Sequence, residues 1–425
     1  MKRNLFRNLL LFFLFSGLVS SCNSDDDATI DEVVGNKPPL ELCDLLSMDG
    51  DLILTNDPER PVDYIVSCKV TIERRKLIIE PGTVLEFTDN GRISVERHFD
   101  DHSGAIIAKG TASQPIIFRG TSQTKGHWRG IFIGTNNNQN ELDYVVIRDA
   151  GKEPYTYGGQ AGLLLGNGGA GYGNLKLTNS TLTNNRKYGL QILQKDDSTA
   201  EQIIIRDNVF TENEAPAYAT QNSLRLLHSS NGFTGNDRDE IDVLGAGNST
   251  DATSLDGTWY NHNVPYIFSS SSYLLSKITI EAGTVLKFPS ASKLQVSYLP
   301  AVNRQGGLIA KGTPNNPILF TGTENTMNFW DGIVFESPYP NNEISHAIIE
   351  YTGLVSNPQH IVVEAGDPCN FTKINNIQFR NSNKNQSAIW LKQTSIWCYL
   401  ADIDLETIIV ESGHTRLRNG DEVIP

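Results

Sequence analysis

One stretch of this chain is written twice, and that limits the folds open to it. Residues 79–87 read IEPGTVLEF and residues 280–288 read IEAGTVLKF. The likeness continues: AIIAKGT (105–111) answers GLIAKGT (307–313), QPIIFRGT (114–121) answers NPILFTGT (316–323), WRGIF (128–132) answers WDGIV (330–334), and YVVIRDAG (144–151) answers HAIIEYTG (346–353). The offset moves only from 201 residues (Ile79 to Ile280) to 202 (Ile131 to Ile333). A block that matches itself with one residue of slippage reads as a duplication, and repeats must be read before any local element.

Within the block apolar residues alternate. Leu85 and Phe87 flank Glu86, Ile116 and Phe118 flank Ile117, and Val145 and Ile147 flank Val146. This is strand periodicity, and no stretch between the runs carries a helical pattern long enough for a crossover helix. Phe-Thr-x-Asn occurs at Phe210–Asn213 and Phe233–Asn236, with Leu182-Thr183-Asn184-Asn185 as a looser third case, at separations of 28 and 23 residues. Such a period predicts an all-β solenoid whose strands stack in parallel on the coil before, about 4.8 Å away.

Comparing the copies separates scaffold from decoration. Leu85, Phe87, Ile107, Ile131 and Ile147 are expected to point inward, as are their counterparts Leu286, Phe288, Ile309, Ile333 and Ile349. Outward positions reverse charge: Glu86 becomes Lys287, Arg129 becomes Asp331, and Arg148 becomes Glu350. A strand that keeps one face and inverts the other is buried on one side only. The repeat therefore encodes a core rather than a duplicated active site.

The N-terminus begins with Lys2, Arg3 and Arg7, followed by the apolar run Leu9–Leu18 and Val19-Ser20-Ser21-Cys22. This layout is that of a secretory signal, too short to span a membrane. Residues 22–42 read as an acidic flexible linker. Residues 43–255 are expected to form a first solenoid half whose start, 43–70, caps the open end, and residues 256–425 a second half continuous with it. The formal net charge of −14, without a basic cluster, makes nucleic acid and anionic membrane surfaces poor partners. No later apolar stretch could cross a bilayer.

The chain has five Cys. If Cys22 is set aside, Cys43 and Cys68 lie 25 residues apart, and Cys369 and Cys398 lie 29 apart, each close to one coil. The pairings Cys43–Cys68 and Cys369–Cys398 are favoured over free thiols or another connectivity, because the alternatives must span most of the solenoid. Metal binding is the weaker reading, since no CxxC or His-rich spacing accompanies them.

With the IxPGTxxxF, AKGTxxxPIxF and WxGI blocks in place, the chain resembles the right-handed parallel β-helix proteins of the pectate-lyase-like superfold, and among them bacterial surface lipoproteins. The small residues before Cys22 resemble a lipobox, which implies cleavage after residue 21 and acylation of Cys22. Asn23-Ser24-Asp25-Asp26-Asp27 resembles the acidic tag that sends some lipoproteins to the outer face of the outer membrane. The resemblance covers about residues 60–413 and speaks to fold more than to activity, since this superfold carries lyases, hydrolases, adhesins and binding proteins alike.

Several residue groups bear on function. Asn179, Asn184, Asn208, Asn213, Asn231 and Asn236 recur near corners and read as a ladder of turn residues. Trp128 and Trp330 stand at equivalent places; packing over a corner outweighs an aromatic sugar platform. His98, Asp100, Asp101 and His102 form the densest ligand set, suited to a hard or borderline cation, though a solvated loop is the simpler reading because the second copy lacks them. Lys125, His127 and Arg129 flank Trp128 without counterparts in the second copy.

Asp237, Arg238, Asp239, Glu240 and Asp242 crowd the end of the first half. They hold the ingredients of a uronate lyase, in which carboxylates bind Ca²⁺ and an Arg or Lys removes a proton, but here they are contiguous rather than drawn from successive coils. An inverting hydrolase would need two carboxylates about 6.5–9.5 Å apart. No GxSxG, HExxH or P-loop pattern is present. The expectation is a non-enzymatic surface scaffold that presents a long face to a glycan or protein partner. The alternative is a polysaccharide lyase or hydrolase, with Ca²⁺ required only by the lyase.

Overall fold

The computed structural model describes residues 37–97, 103–154, 159–166, 173–193, 202–247, 252–353, 360–364, 370–383, 386–392, 399–419 and 422–424. Cys22, the set His98, Asp100, Asp101 and His102, and the pair Cys369 and Cys398 lie outside the described residues. Strand is the dominant regular structure among the described residues, and their helical pieces are the short 3-10 turns Leu42–Ser47, Gln221–Leu226, Pro300–Val302 and Leu405–Thr407.

Through the first half the chain visits three parallel sheets in rotation. The first sheet takes Leu52–Leu54, Lys76–Ile79, Ala105–Lys109, Glu141–Asp143, Lys176–Thr178 and Ile204–Arg206. The second takes Tyr64–Val66, Val84–Phe87, Ile116–Gly120, Val145–Arg148, Thr181–Thr183 and Val209–Thr211. The third takes Lys69–Ile72, Arg92–Glu96, Ile131–Gly134, Ala161–Leu165, Tyr188–Ile192, Ala215–Thr220 and Ile241–Leu244. Each strand therefore pairs with one a full circuit later in the chain. The only antiparallel pairs among the named strands are the hairpin of Tyr298–Leu299 with Arg304–Gln305 and the closing pair of Thr415–Asn419 with Glu422–Ile424.

The register lines up one buried row per sheet. In the second sheet Tyr64, Leu85, Phe118, Ile147, Leu182 and Phe210 follow one another as direct partners, and all are buried. Their spacing runs from 21 to 35 residues, broader than the expected 23–28, because connections at the corners differ in length far more than the strands do. A residue that moves one place along a strand changes face, and this overturns one expectation. Ile107 lies in the outward row Ile53, Ile78, Ile107, Glu141; Ile106 and Ala108 fill the core instead. Ile309 likewise sits outside, between buried Leu308 and Ala310.

Aromatic stacking runs through the interior. Phe87 stacks on Trp128 with centroids 3.9 Å apart, and Phe288 stacks on Trp330 at 4.6 Å. Both Trp side chains are fully buried, and their Nε1 atoms donate to the carbonyls of Arg148 (2.7 Å) and Glu350 (2.9 Å). Residues at matching places in the two sequence blocks thus make matching contacts, and neither Trp is open to an external sugar.

Corners are held by buried amides. Asn213 accepts from the Asn185 backbone N–H (3.0 Å) and Nδ2 (2.9 Å), and its own Nδ2 donates to Leu182 O and Asn236 Oδ1. Asn208 accepts from the Ser180 backbone N–H and donates its Nδ2 to Leu177 O and Asn231 Oδ1. Asn179 and Asn184 play another part. They take the left-handed bend itself, with φ of 50° and 52°, one residue before the ladder positions Ser180 and Asn185.

The N-terminal end is closed by Leu42–Ser47, with Leu42 buried and the disulfide Cys43–Cys68 tying this turn to the first circuit at a Cα separation of 6.2 Å. Arg75 donates to the carbonyls of Met48 and Leu46. At the other boundary, Ile241–Leu244 of the third sheet pairs directly with Tyr266–Phe268, which pairs with Val285–Phe288. Val285–Phe288 corresponds in sequence to Val84–Phe87, a second-sheet strand. The second block therefore continues the third sheet with strands of second-sheet type, one sheet out of step with the first block.

A fourth sheet follows from this shift. It contains Ser272–Leu274, Lys293–Val296, Gly332–Phe335, Ile361–Glu364, Ser387–Lys392 and Thr415–Asn419.

Candidate functional site

The Asp237–Asp242 segment lies where Ala215–Thr220 hands over to Ile241–Leu244. Its five charged residues do not share one task. Asp239 organises its own turn: Oδ2 accepts from Gly235 N–H (3.1 Å) and Oδ1 from Asn236 N–H (2.8 Å). Burial alone would raise this carboxyl, but the Asn236 and Gly235 donors outweigh it and hold it below the usual carboxylate range. Asp237 accepts from Lys125 Nζ at 2.6 Å, a contact between distant circuits.

Arg238 forks onto Asp242, with Nη1 and Nη2 at 2.9 and 2.7 Å from its two oxygens, and reaches Glu240 at 2.8 Å. The hydrogen bonds to Asp242, then those to Glu240, raise its affinity for its proton further. Lys287 approaches Glu240 at 3.4 Å, and Tyr188 donates its hydroxyl to Asp242 Oδ2 at 2.7 Å. Burial first, and the Asp242 charge second, raise the hydroxyls of Tyr188 and Tyr218, whose rings lie 5.4 Å apart. The group is a closed ion-pair network. It leaves no carboxylate pair facing a free base, and among the described residues no three His, Cys, Asp or Glu side chains converge as a metal site.

Lys125, His127 and Arg129 do not converge either. His127 Nε2 meets Thr121 Oγ1 at 2.8 Å, Lys125 is held by Asp237, and Arg129 pairs with Glu153 at 2.8 Å.

A second group, which sequence reasoning did not single out, lies on the outer side of the fourth sheet. Val296 pairs with Phe335, Phe335 with Val363, and Val363 with Leu391. Those four point inward, so the next residues, Ser297, Glu336, Glu364 and Lys392, form one outward row. Glu364 Oε1 accepts from Lys392 Nζ at 2.7 Å. Gln295 donates its Nε2 to Glu336 Oε2. Burial, and then the neighbouring Glu364 charge, push the Glu336 carboxyl above its ordinary range; burial does the same to Asp331. A signal was present, since GIVFE, IVVE and IWLK each end in a charge one place past the buried run, but only the register aligns them.

Two clefts of about 240 and 330 Å³ lie near the C-terminal end, one along His346, Asn376 and Ile409 and one along Lys373, Asp402 and Asp404. They contain neither of the groups above. Compared with known protein families, curated proteins and solved structures, the chain matches none.

Proposed function

We propose that the chain is a right-handed, single-stranded parallel β-helix, built from two tandem copies of a unit of about 200 residues and continuous through their junction. It acts as a non-enzymatic cell-surface scaffold that holds a glycan or protein partner against a long outer face. The rotation of the strands through three parallel sheets supports the architecture. The observation that carries the non-enzymatic reading is the state of Arg238 and Asp239. A guanidinium forked onto Asp242 and bound to Glu240 is no base for a lyase, and a carboxylate that caps Gly235 and Asn236 is engaged in folding.

In this reading Cys22 is acylated and anchors the mature chain to the outer membrane, facing outward; Cys22→Ser then moves the protein out of the membrane fraction, and a wild-type chain already soluble in the periplasm contradicts it. Cys369 and Cys398 form a second disulfide, for which peptide mapping under non-reducing conditions is decisive.

One observation favours a glycoside hydrolase as the rival. Glu336 and Glu364 stand on adjacent strands, about 4.8 Å apart along the stack, and their surroundings differ, as an acid and its partner carboxylate require. A screen of the purified mature chain against acidic and neutral polysaccharides, with and without Ca²⁺, separates the readings. Binding without turnover supports the scaffold. Turnover that disappears in Asp239→Ala or Glu364→Gln overturns it.

A further inference from the structure

Two buried imidazoles meet in the second sequence block, at a corner that the first block builds without them. Ile131 pairs with Leu163 and its counterpart Ile333 pairs with Ile361, so His360 stands where the first block has Gly162. The residue facing it differs as well. The Ala150 N–H donates to Asn185 Oδ1 in the first block, and the Thr352 N–H donates to Ser382 Oγ in the second. A Cβ on Gly162 would lie 2.8 Å from the Asn185 carboxamide, so the amide leaves room only for glycine. Where Ser382 replaces the amide, the space takes the His360 ring. Two facing residues have changed together.

The hydrogen bonds behind His360 fix where its proton sits. The Arg380 carbonyl can only accept, and the Ser382 hydroxyl donates to it at 2.9 Å. Ser382 Oγ then has only lone pairs to offer Thr352 Oγ1, 3.2 Å away, so Thr352 donates to Ser382 and accepts from His360 Nδ1. Burial keeps the ring neutral, and its one proton is therefore on Nδ1. The bare Nε2 lies 3.0 Å from His414 Nε2, with the two rings at 84°. One ring nitrogen held by an oriented hydrogen bond while the other stays bare is the arrangement of a metal-ligating imidazole.

A third donor comes from the circuit between them. Gln386 precedes Ser387, whose register partner is Thr415, the residue after His414. Its Oε1 is buried without a hydrogen-bond partner. This oxygen and the His360 ring border one space beside Gly353, where an added Cβ would lie 3.2 Å from Gln386 Oε1 and 2.9 Å from His360 Cε1. A buried carbonyl oxygen left unpaired costs stability, and a cation would satisfy it.

We propose that His360 Nε2, His414 Nε2 and Gln386 Oε1 hold a divalent first-row transition ion of the Co²⁺, Ni²⁺ and Zn²⁺ class, which pins the last circuit to the one two before it. Two imidazoles with one neutral oxygen suit these borderline ions, whereas Ca²⁺ and Mg²⁺ need more oxygen ligands. Coordination takes the place of the hydrogen bond between the rings: the His414 proton moves from Nε2 to Nδ1, and both Nε2 lone pairs face the ion. Two nitrogens at about 2.0–2.1 Å from a tetrahedral ion stand about 3.3–3.4 Å apart, so the rings need to part by only about 0.3–0.4 Å. His414, at 9% exposure against 0% for His360, is the side from which the ion and a completing water enter. The disulfide Cys43–Cys68 ties the opposite end, and the ion would give this end its own tie.

Calorimetric titration of the intact, untagged, EDTA-washed chain with Zn²⁺ at pH 7 tests this. One ion should bind at this site and raise the thermal midpoint. His414→Gln should lower affinity about 100-fold, and Thr352→Val, which removes only the hydroxyl that orients His360, about 10-fold. Thermal melts in EDTA check that both variants fold, and Thr352→Val carries the test if His414→Gln does not. The double variant His98→Gln, His102→Gln, which removes the other candidate imidazoles, should leave this binding unchanged. Absence of Zn²⁺ binding, binding of wild-type affinity in His414→Gln and Thr352→Val, or binding lost only with His98 and His102 would overturn the site and leave His360 and His414 as a plain hydrogen-bonded pair.

Discussion

Two imidazoles are kept neutral by the interior. His262 sits among Phe233, Tyr260 and Tyr266, with ring centroids 4.7, 6.4 and 6.0 Å away. Burial, only partly opposed by the Leu227 backbone, lowers its pKa to about 4. His360 is held by Thr352 Oγ1 on one side and lies 3.0 Å from His414 Nε2 on the other; burial, then the His414 charge, lowers its pKa to about 3. Both folded values lie below the ordinary 6.5, so the unfolded chain binds the extra protons. Stability is then complete above pH 6.5 and declines as pH falls toward 4 and 3, His262 alone contributing up to about 3 kcal/mol. Urea melts at pH 7 and pH 4.5 should show this decline, and His262→Phe should flatten part of it. A stability that is flat over that range would contradict the account. Neither His was legible in the sequence: Tyr260 and Tyr266 flank His262 in the chain, but only the fold brings Phe233 of the preceding circuit against it.

At the scale of the element, the corner ladder was legible in outline. Phe-Thr-x-Asn marked Asn213 and Asn236 correctly, since a buried Phe followed three residues later by an amide is what a strand entering a corner requires. The pattern could not tell ladder from bend. Asn179 and Asn184 share the composition of ladder residues but occupy the left-handed position, which Asp207 and Glu212 take one circuit later. The two roles predict different costs. Asn213→Ala strips a fully buried amide from four hydrogen bonds and should cost about 3 kcal/mol. Asn179→Ala forces an ordinary side chain into a left-handed bend and should cost about 1 kcal/mol. Equal losses in chemical denaturation would mean that the corner is not held by the amides. The exchange of Ile107 for Ile106 on the buried face has a similar origin. In AIIAK both neighbours are aliphatic, so alternation leaves the phase undetermined, and only pairing with Ile78 and Glu141 sets it.

At the scale of the molecule, the duplicated sequence block did not tell how the second stretch meets the first. The stretch between Asn236 and Tyr266 carries no Phe-Thr-x-Asn motif, and there the second block comes in one sheet out of step. The consequence reaches the candidate sites. Lys287, on a strand of second-sheet type, is carried beside Glu240 and so joins the Arg238 network. The fourth sheet, with Glu336 and Glu364, has no strand from the first half among its members. A cross-link tests the proposed single stack with its shifted second block directly. Asp242 and Ile267 are register partners on the outer side, so the double variant Asp242→Cys, Ile267→Cys should form an intramolecular disulfide under mild oxidation. In a stack without the shift, Tyr266–Phe268 would follow the second sheet, and Ile267 would lie over Thr234, the residue that follows Phe233 where Phe233 stacks on Phe210. Rapid closure of the Asp242→Cys, Ile267→Cys pair, with none for Thr234→Cys, Ile267→Cys, is the predicted result. The reverse pattern would contradict it.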